Sequence, residues 1–243
     1  MKIVVLSVLL LLSLAAVSSA EDQFDFFYLV QQWPGSFCDT KNGCCFPDTG
    51  KPATEFGIHG MWPNYAKCKT GRRALGGALE MFDRGKKKCW PEFCNNGEPL
   101  EIAEITDLLK GLGVNWPTLA CKSGKSFEFW SYEWKKHGTC SGLGQHGYFS
   151  AALGFKTQHN LTDILAGAGI VPSDNASYFL SSIRDAIKEG TGFHANLECN
   201  RRVAGETQLF QVYQCVDRAG KKLIDCPLQM QGNCLDRVQL PPF

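Results

Sequence analysis

The chain has 243 residues, 44% of them hydrophobic, with 25 Lys and Arg against 24 Asp and Glu. A length in this range buries a full core and suits one domain. The balance of charge excludes a globally basic nucleic-acid coat, so any recognition of phosphate must come from a local cluster.

Residues 1–20 read as a secretory signal peptide. Lys2 supplies the positive start, residues 3–16 are apolar except for Ser7 and Ser13, and Ser18-Ser19-Ala20 is a small-residue cleavage site. The run is too short for a stable membrane anchor, and no other segment is apolar for long enough to span a bilayer. The expected mature domain is therefore residues 21–243, exported to the extracellular fluid, cell wall or vacuole, with no membrane partner. Removal of Lys2 leaves the two signs of charge equal. All twelve Cys lie after the leader. An even count in an exported chain, with no C-x-x-C, predicts disulfides rather than a metal site. Spacing alone does not fix their connectivity. Asn160-Leu161-Thr162 and Asn175-Ala176-Ser177 are glycosylation sequons that fit the same route.

Residues 24–33 are rich in aromatic and β-branched residues and stop at Pro34-Gly35, which predicts a buried opening strand and a turn. Cys38, Cys44 and Cys45 follow in a loop. The segment around Ile58-His59 is expected as a strand, since Pro63 prevents a helix there. Residues 67–88 carry eight Lys and Arg against Glu80 and Asp83, with Cys68 and Cys89 at the ends. This surface insertion admits two readings: a solvated loop, or an electrostatic landing site for RNA phosphates or another polyanion.

Residues 101–112 place Ile102, Ile105, Leu108, Leu109 and Leu112 on one helical face, with Gly111 and Gly113 as a stop. Further helices are predicted over 127–137, 148–155, 162–165 and 178–188, with Asp163 and Ser177 as capping candidates for the last two. Residues 209–216 alternate as a strand, and 222–226 return after a Gly turn, giving a hairpin clamped by Cys215 and Cys226. Helices and strands mix without a βαβ rhythm, so the expected class is α+β. Trp33, Trp90, Trp116 and Trp134 are assigned to the core, Arg201 and Arg202 to a solvated turn, and His146, His159 and His194 to surface or structural roles.

Two segments carry the chemistry. On a helix over 127–137, Glu133, Lys136 and His137 fall on one face at i, i+3 and i+4, and Gly138 ends it. His59 supplies a second imidazole. Two imidazoles of ordinary pKa can remove one proton and deliver another in the same step. RNA transesterification has that demand: the 2′-OH loses a proton, the 5′-oxygen gains one, and the phosphorane gathers charge that a cation or protonated acid can offset. A serine hydrolase is a poor fit, with no Gly-x-Ser-x-Gly elbow. A thiol enzyme is poorer given paired Cys, and HExxH zinc chemistry lacks its first His.

His59-Gly60-Met61-Trp62-Pro63 and Phe129-Trp130-Ser131-Tyr132-Glu133-Trp134-Lys135-Lys136-His137-Gly138-Thr139-Cys140 resemble the two active-site segments of the ribonuclease T2 family. The opening strand and Trp116-Pro117-Thr118-Leu119-Ala120-Cys121 resemble its plant S-like members. The resemblance covers nearly all of residues 21–243. It implies a central antiparallel sheet with surrounding helices, and endonucleolytic cleavage of single-stranded RNA through a 2′,3′-cyclic phosphate to 3′-phosphate ends. It implies no metal or cofactor, and a monomer is expected. His137 would be the general base, His59 the general acid, and Glu133 and Lys136 the stabilisers of the phosphorane. Gln32, Leu119, Ala120 and Phe129 match positions near bound nucleotide, and Trp62 offers a stacking face. The implied disulfides are Cys38–Cys44, Cys45–Cys121, Cys94–Cys140, Cys199–Cys234 and Cys215–Cys226, which leaves Cys68 and Cys89 to pair across the insertion.

The chain departs from the family pattern in two places. The insertion has no counterpart, and Tyr132 stands where many members carry a third His. A Tyr offers a hydroxyl but no cation, a loss on the order of 1–3 kcal/mol of transition-state binding. The rival reading is therefore a weak or silent relative kept for storage or defence. A recognition protein of the pollen-rejection branch fits less well with the S-like motifs.

Overall fold

The computed structural model describes residues 24–69, 73–75, 78–80, 88–123 and 125–243. The expected signal peptide and most of the basic insertion lie outside the described residues. In chain order the elements are β1 (Phe26–Gln32), α1 (Pro34–Cys38), β2 (Gly57–Asn64), β3 (Arg73–Leu75) and β4 (Ala78–Glu80), then α2 (Leu109–Asn115), α3 (Ser126–Lys136), α4 (Gly144–Gln158) and α5 (Leu161–Gly167). They continue with β5 (Tyr178–Phe179), α6 (Leu180–Thr191), β6 (Asn196–Arg201), β7 (Thr207–Asp217), β8 (Leu223–Ile224) and β9 (Arg237–Val238).

The fold is α+β around an antiparallel sheet of order β2-β1-β7-β6, with β8 paired to β7. Strand β1 is buried along its whole length. Phe27 and Leu29 enter the main core with Met61, Trp116, Trp130, Trp134 and Tyr148. Phe26, Tyr28 and Val30 point to the opposite face and pack with Tyr213, Cys215 and Cys226. Two covered faces explain why β1 reads as a continuous apolar run rather than an alternating one. A third cluster joins Trp33, α5, α6, β6 and β7.

The structure joins Cys38–Cys44, Cys45–Cys121, Cys94–Cys140, Cys199–Cys234 and Cys215–Cys226, the pairs that the resemblance implies, and Cys68–Cys89, the pair that it leaves over. Cys45–Cys121 closes a sequence separation of 76, a constraint worth about 4 kcal/mol in the chain-entropy picture.

Several elements depart from the sequence expectations. Pro34-Gly35 does not simply turn: Pro34 opens α1, where its missing N–H costs nothing. Residues 101–112 are two helices, a 3-10 stretch Ile102–Leu108 kinked at Ile105 and then α2. Gly111 and Gly113, expected as the stop, both lie inside α2, with Leu153 of α4 beside Gly111. Tyr178 and Phe179 pair with β9, so α6 starts only at Leu180 and runs to Thr191, where Gly192 at φ +83° closes it. The caps differ as well. Asn160, not Asp163, accepts from the amides of Thr162 and Asp163, and Ser177 caps nothing on α6. Arg202 is no solvated turn residue; its guanidinium holds Asp39, Asp174 and the Gln239 amide. Trp90 is 45% exposed rather than core. His146 sits at the surface against Asp107. Among the described residues no helix is long and apolar enough to cross a membrane.

Candidate active site

The first segment is β2, held against β1. The register runs Gly60 to Val30 and then Ile58 to Gln31, so His59 has no partner on β1. It is the extra residue of a β-bulge, a device that re-aims a side chain out of the strand's alternation. Trp116 Nε1 donates to the His59 carbonyl at 2.9 Å and fixes its backbone. The His59 Nδ1 atom lies 2.7 Å from Gln211 Nε2 on β7.

The second segment is α3. Trp130 and Trp134 are buried in the main core and Phe127 and Phe129 pack against it, while Glu133 meets Trp62 of β2. Glu128 in the first turn and Lys135 and Lys136 in the last complement the helix dipole. The helix ends at His137, whose N–H donates to Glu133 O at 2.9 Å. Gly138 follows because any Cβ there would overlap the Trp134 ring. The Phe93 N–H donates to Lys136 O at 2.9 Å, and Cys94–Cys140 ties the same corner. The His137 end of α3 is thus fixed from outside the helix.

Trp62 joins the two segments. Its ring stacks on His137, with centroids 5.2 Å apart at 27°, and meets His59 edge-on at 5.0 Å. Its Nε1 donates to Glu133 Oε2 at 2.8 Å. Gly60 makes room for this bond, since a Cβ there would overlap both Trp62 Nε1 and Glu133 Oε2. The indole therefore touches both imidazoles and anchors the carboxyl group, more than the free stacking face expected.

Burial dominates the electrostatics. Glu133 is 3% exposed, and burial pushes its carboxyl up to about 8, against the opposing pull of the Trp62 bond and Lys136. Burial, then the positive charge of Lys136, lowers His59 to about 4. His137 falls to about 3 through burial, Lys136 and His59. The site thus gathers two neutral imidazoles, a protonated carboxyl group and one ammonium. The Nδ1 atom of His137 is enclosed without a hydrogen-bond partner, which leaves Nε2 as its working atom.

The other expected residues spread outward from this centre. The Phe129 ring lies 6.0 Å from His59. Gln32 and Leu119 are buried and line a narrow cleft with Phe56, Pro117 and Lys156. Gln32 pairs with Gly57 on one side and Gln211 on the other, and its Oε1 is enclosed without a partner. Ala120 is exposed at the chain's approach to Cys121. Tyr132 is 50% exposed, with Lys136 Nζ 5.6 Å from its ring centre, so the position of the absent third His does border the site. Sequence reasoning missed Gln211 and the demands on Gly60. A Gly inside a strand signals close approach, and Gln208, Gln211 and Gln214 are polar residues on an otherwise apolar strand.

A family model described as the Ribonuclease T2 family matches residues 24–226. The chain is 47% identical over 233 residues to ribonuclease 1 of Arabidopsis thaliana, covering 95% of this chain and 92% of that protein. It is 44% identical over 241 residues to extracellular ribonuclease LE of Solanum lycopersicum, covering 98% and 96%. The crystal structure of RNase NT in complex with 5'-AMP superposes with a TM-score of 0.80 at 44% identity, over 91% of this chain and 100% of that one.

Proposed function

The chain belongs to the ribonuclease T2 family, and from that premise we propose an endoribonuclease that cleaves single-stranded RNA by metal-independent transesterification. The observation that carries this reading is that His59 and His137 come together against one ring, Trp62, with centroids 5.0 Å and 5.2 Å away. His137 Nε2 takes the 2′-OH proton, O2′ bonds to phosphorus, the P–O5′ bond breaks, and His59 delivers a proton to O5′. The product is a 2′,3′-cyclic phosphate. In its hydrolysis the two roles exchange: His59 takes a proton from water, the water oxygen bonds to phosphorus, the P–O2′ bond breaks, and His137 returns a proton to O2′, leaving a 3′-phosphate.

The charge states support that division of labour. In the free protein both imidazoles are held neutral by burial and Lys136. A phosphodiester anion opposes Lys136. At ~4 Å and an effective dielectric of ~20, one charge is worth about 4 kcal/mol, or about three pKa units. Substrate therefore brings the proton that His59 must later give. Glu133, protonated up to about 8, donates its O–H to a phosphorane oxygen beside the Lys136 ammonium. Gln32, Leu119, Ala120 and Phe129 border the bound nucleotides.

The signal peptide, the six disulfides and the sequons at Asn160 and Asn175 support export as a monomeric glycoprotein. The rival reading, a silent storage or defence relative, rests on Tyr132. The joined set of His59, Glu133, Lys136 and His137 weighs against it. The test is incubation of pure protein with RNA and with DNA in chelator at acid pH. Cyclic-phosphate ends from RNA and intact DNA are expected, with turnover lost in folded His59→Ala and His137→Ala variants. Intact RNA, cleaved DNA or an active variant would refute the reading.

A further inference from the structure

A chain of three side chains runs from the Nδ1 atom of His59 into the sheet. Gln211 Nε2 lies 2.7 Å from His59 Nδ1, Gln211 Oε1 lies 2.8 Å from Tyr213 Oη, and Tyr213 Oη lies 2.5 Å from Glu198 Oε2. Gln211 and Tyr213 stand two apart on one face of β7, and Glu198 pairs with Gln211 from β6. Gln211 is 3% exposed and Tyr213 is 6% exposed.

The protons in this chain can be counted. A phenol has one hydrogen, yet Tyr213 faces two oxygen acceptors. Burial and the Glu198 contact both raise Tyr213, so it keeps that hydrogen. If Glu198 is a carboxylate, the hydrogen goes to Glu198 and the contact to Gln211 Oε1 becomes two facing lone pairs. A half-turn of the Gln211 carboxamide removes the conflict, because its two ends differ only in which atom is N and which is O. Gln211 Nε2 then donates to Tyr213 Oη, and Gln211 Oε1 accepts a hydrogen from His59 Nδ1. Every donor in the chain then has one acceptor, ending on an anion.

We propose that Gln211, Tyr213 and Glu198 are positioning residues for the reaction: through this chain they hold a proton on His59 Nδ1 and leave Nε2 as the atom that gives and takes protons at O5′. With the opposite polarity, Nδ1 would accept a hydrogen bond, His59 would stay a neutral Nε2–H imidazole, and its acidity would be far too weak for a general acid. The remaining titratable groups around His59 do not supply this bias. Lys136 and His137 from α3 and its end oppose a charged ring, Glu133 is held protonated, and Tyr28 of β1 packs edge-on against Tyr213 at 5.4 Å. Trp62 and Phe129 offer only ring contacts.

The role rests on His59 being the general acid, but its test does not depend on activity alone. Ring nitrogen chemical shifts from 15N-labelled protein at about neutral pH, where His59 is uncharged, report the tautomer directly. The wild type is expected as Nδ1–H, and Tyr213→Phe and Glu198→Gln are expected to shift it toward Nε2–H. In both variants kcat on a dinucleoside phosphate should fall about tenfold with KM within about twofold, and the alkaline limb of the pH profile should move about one unit to acid. An Nε2–H ring in the wild type overturns the proposal, as do variants that leave tautomer, kcat and limb in place. Melting curves identify a variant that fails to fold; the wild-type tautomer then decides alone. A His59→Ala enzyme with full turnover sinks the acid assignment instead and leaves the tautomer result standing on its own.

Discussion

Glu133→Gln removes a titratable proton from the interior while keeping the side chain's size and an acceptor for Trp62 Nε1. Glu133 moves from 4.5 in the unfolded chain to about 8 in the folded one. Folding therefore retains a proton that the unfolded chain releases above 4.5. The stability this provides is whole below 4.5, declines as pH rises, and is lost by the time pH has passed about 8. Between about pH 5 and about pH 9 the wild type should lose about 4 kcal/mol that the Gln variant keeps. The assay is urea unfolding of both proteins at both pH values, read as a difference of differences, so that other alkaline titrations cancel. All twelve Cys are paired, which keeps thiol exchange out of the comparison. Parallel pH dependence of the two proteins would refute a neutral, buried Glu133.

Gly60→Ala should cut kcat/KM about a hundredfold and destabilise by about 1–3 kcal/mol, because its Cβ breaks the Trp62–Glu133 bond; kinetics and melts read both. Tyr132→His should change kcat by no more than about tenfold, since the site is half exposed and Lys136 disfavours a second cation beside it; a steady-state dinucleotide assay decides, and a thousandfold gain would show that Tyr132 silences the enzyme. Asn160→Ala should cost about 1 kcal/mol through loss of the α5 cap. Measured on unglycosylated protein, the same loss separates the cap from any glycan.

The sequence carried the two His segments and the α+β class because their signals are local. Period-two apolar residues mark β7, the i, i+4 pair Glu133 and His137 marks α3, and Gly138 marks its end. What the sequence hid is what depends on contact between segments. The bulge that frees His59 is a register shift between β1 and β2, visible only once they pair. Gly111 reads as a helix stop, but α4 packs against it and the helix continues. Arg202 looks like a turn residue until Asp39 and Asp174, far away in sequence, arrive beside it. Trp62 advertises an aromatic face; that its N–H holds Glu133 follows only from α3 lying against β2.

The assembled site also explains how a chain of balanced charge can act on a polyanion. Of its four chemical groups only the Lys136 ammonium is charged in the free protein, since Glu133 is protonated up to about 8 and both imidazoles are neutral above about 4. The net local charge is therefore close to one positive unit, matched to one phosphodiester. A second permanent cation would bind a phosphate more tightly, but it would depress both imidazoles further and leave less of either ring protonated. An ionised Glu133 would restore the imidazoles and repel the phosphate. Keeping that carboxyl neutral requires burial strong enough to outweigh the opposing pull of the Trp62 bond, and the bare backbone at Gly60 lets the two groups pack that closely. The packing between β2 and α3 thus sets the charge of the site, and the charge sets which proton is available when phosphate arrives.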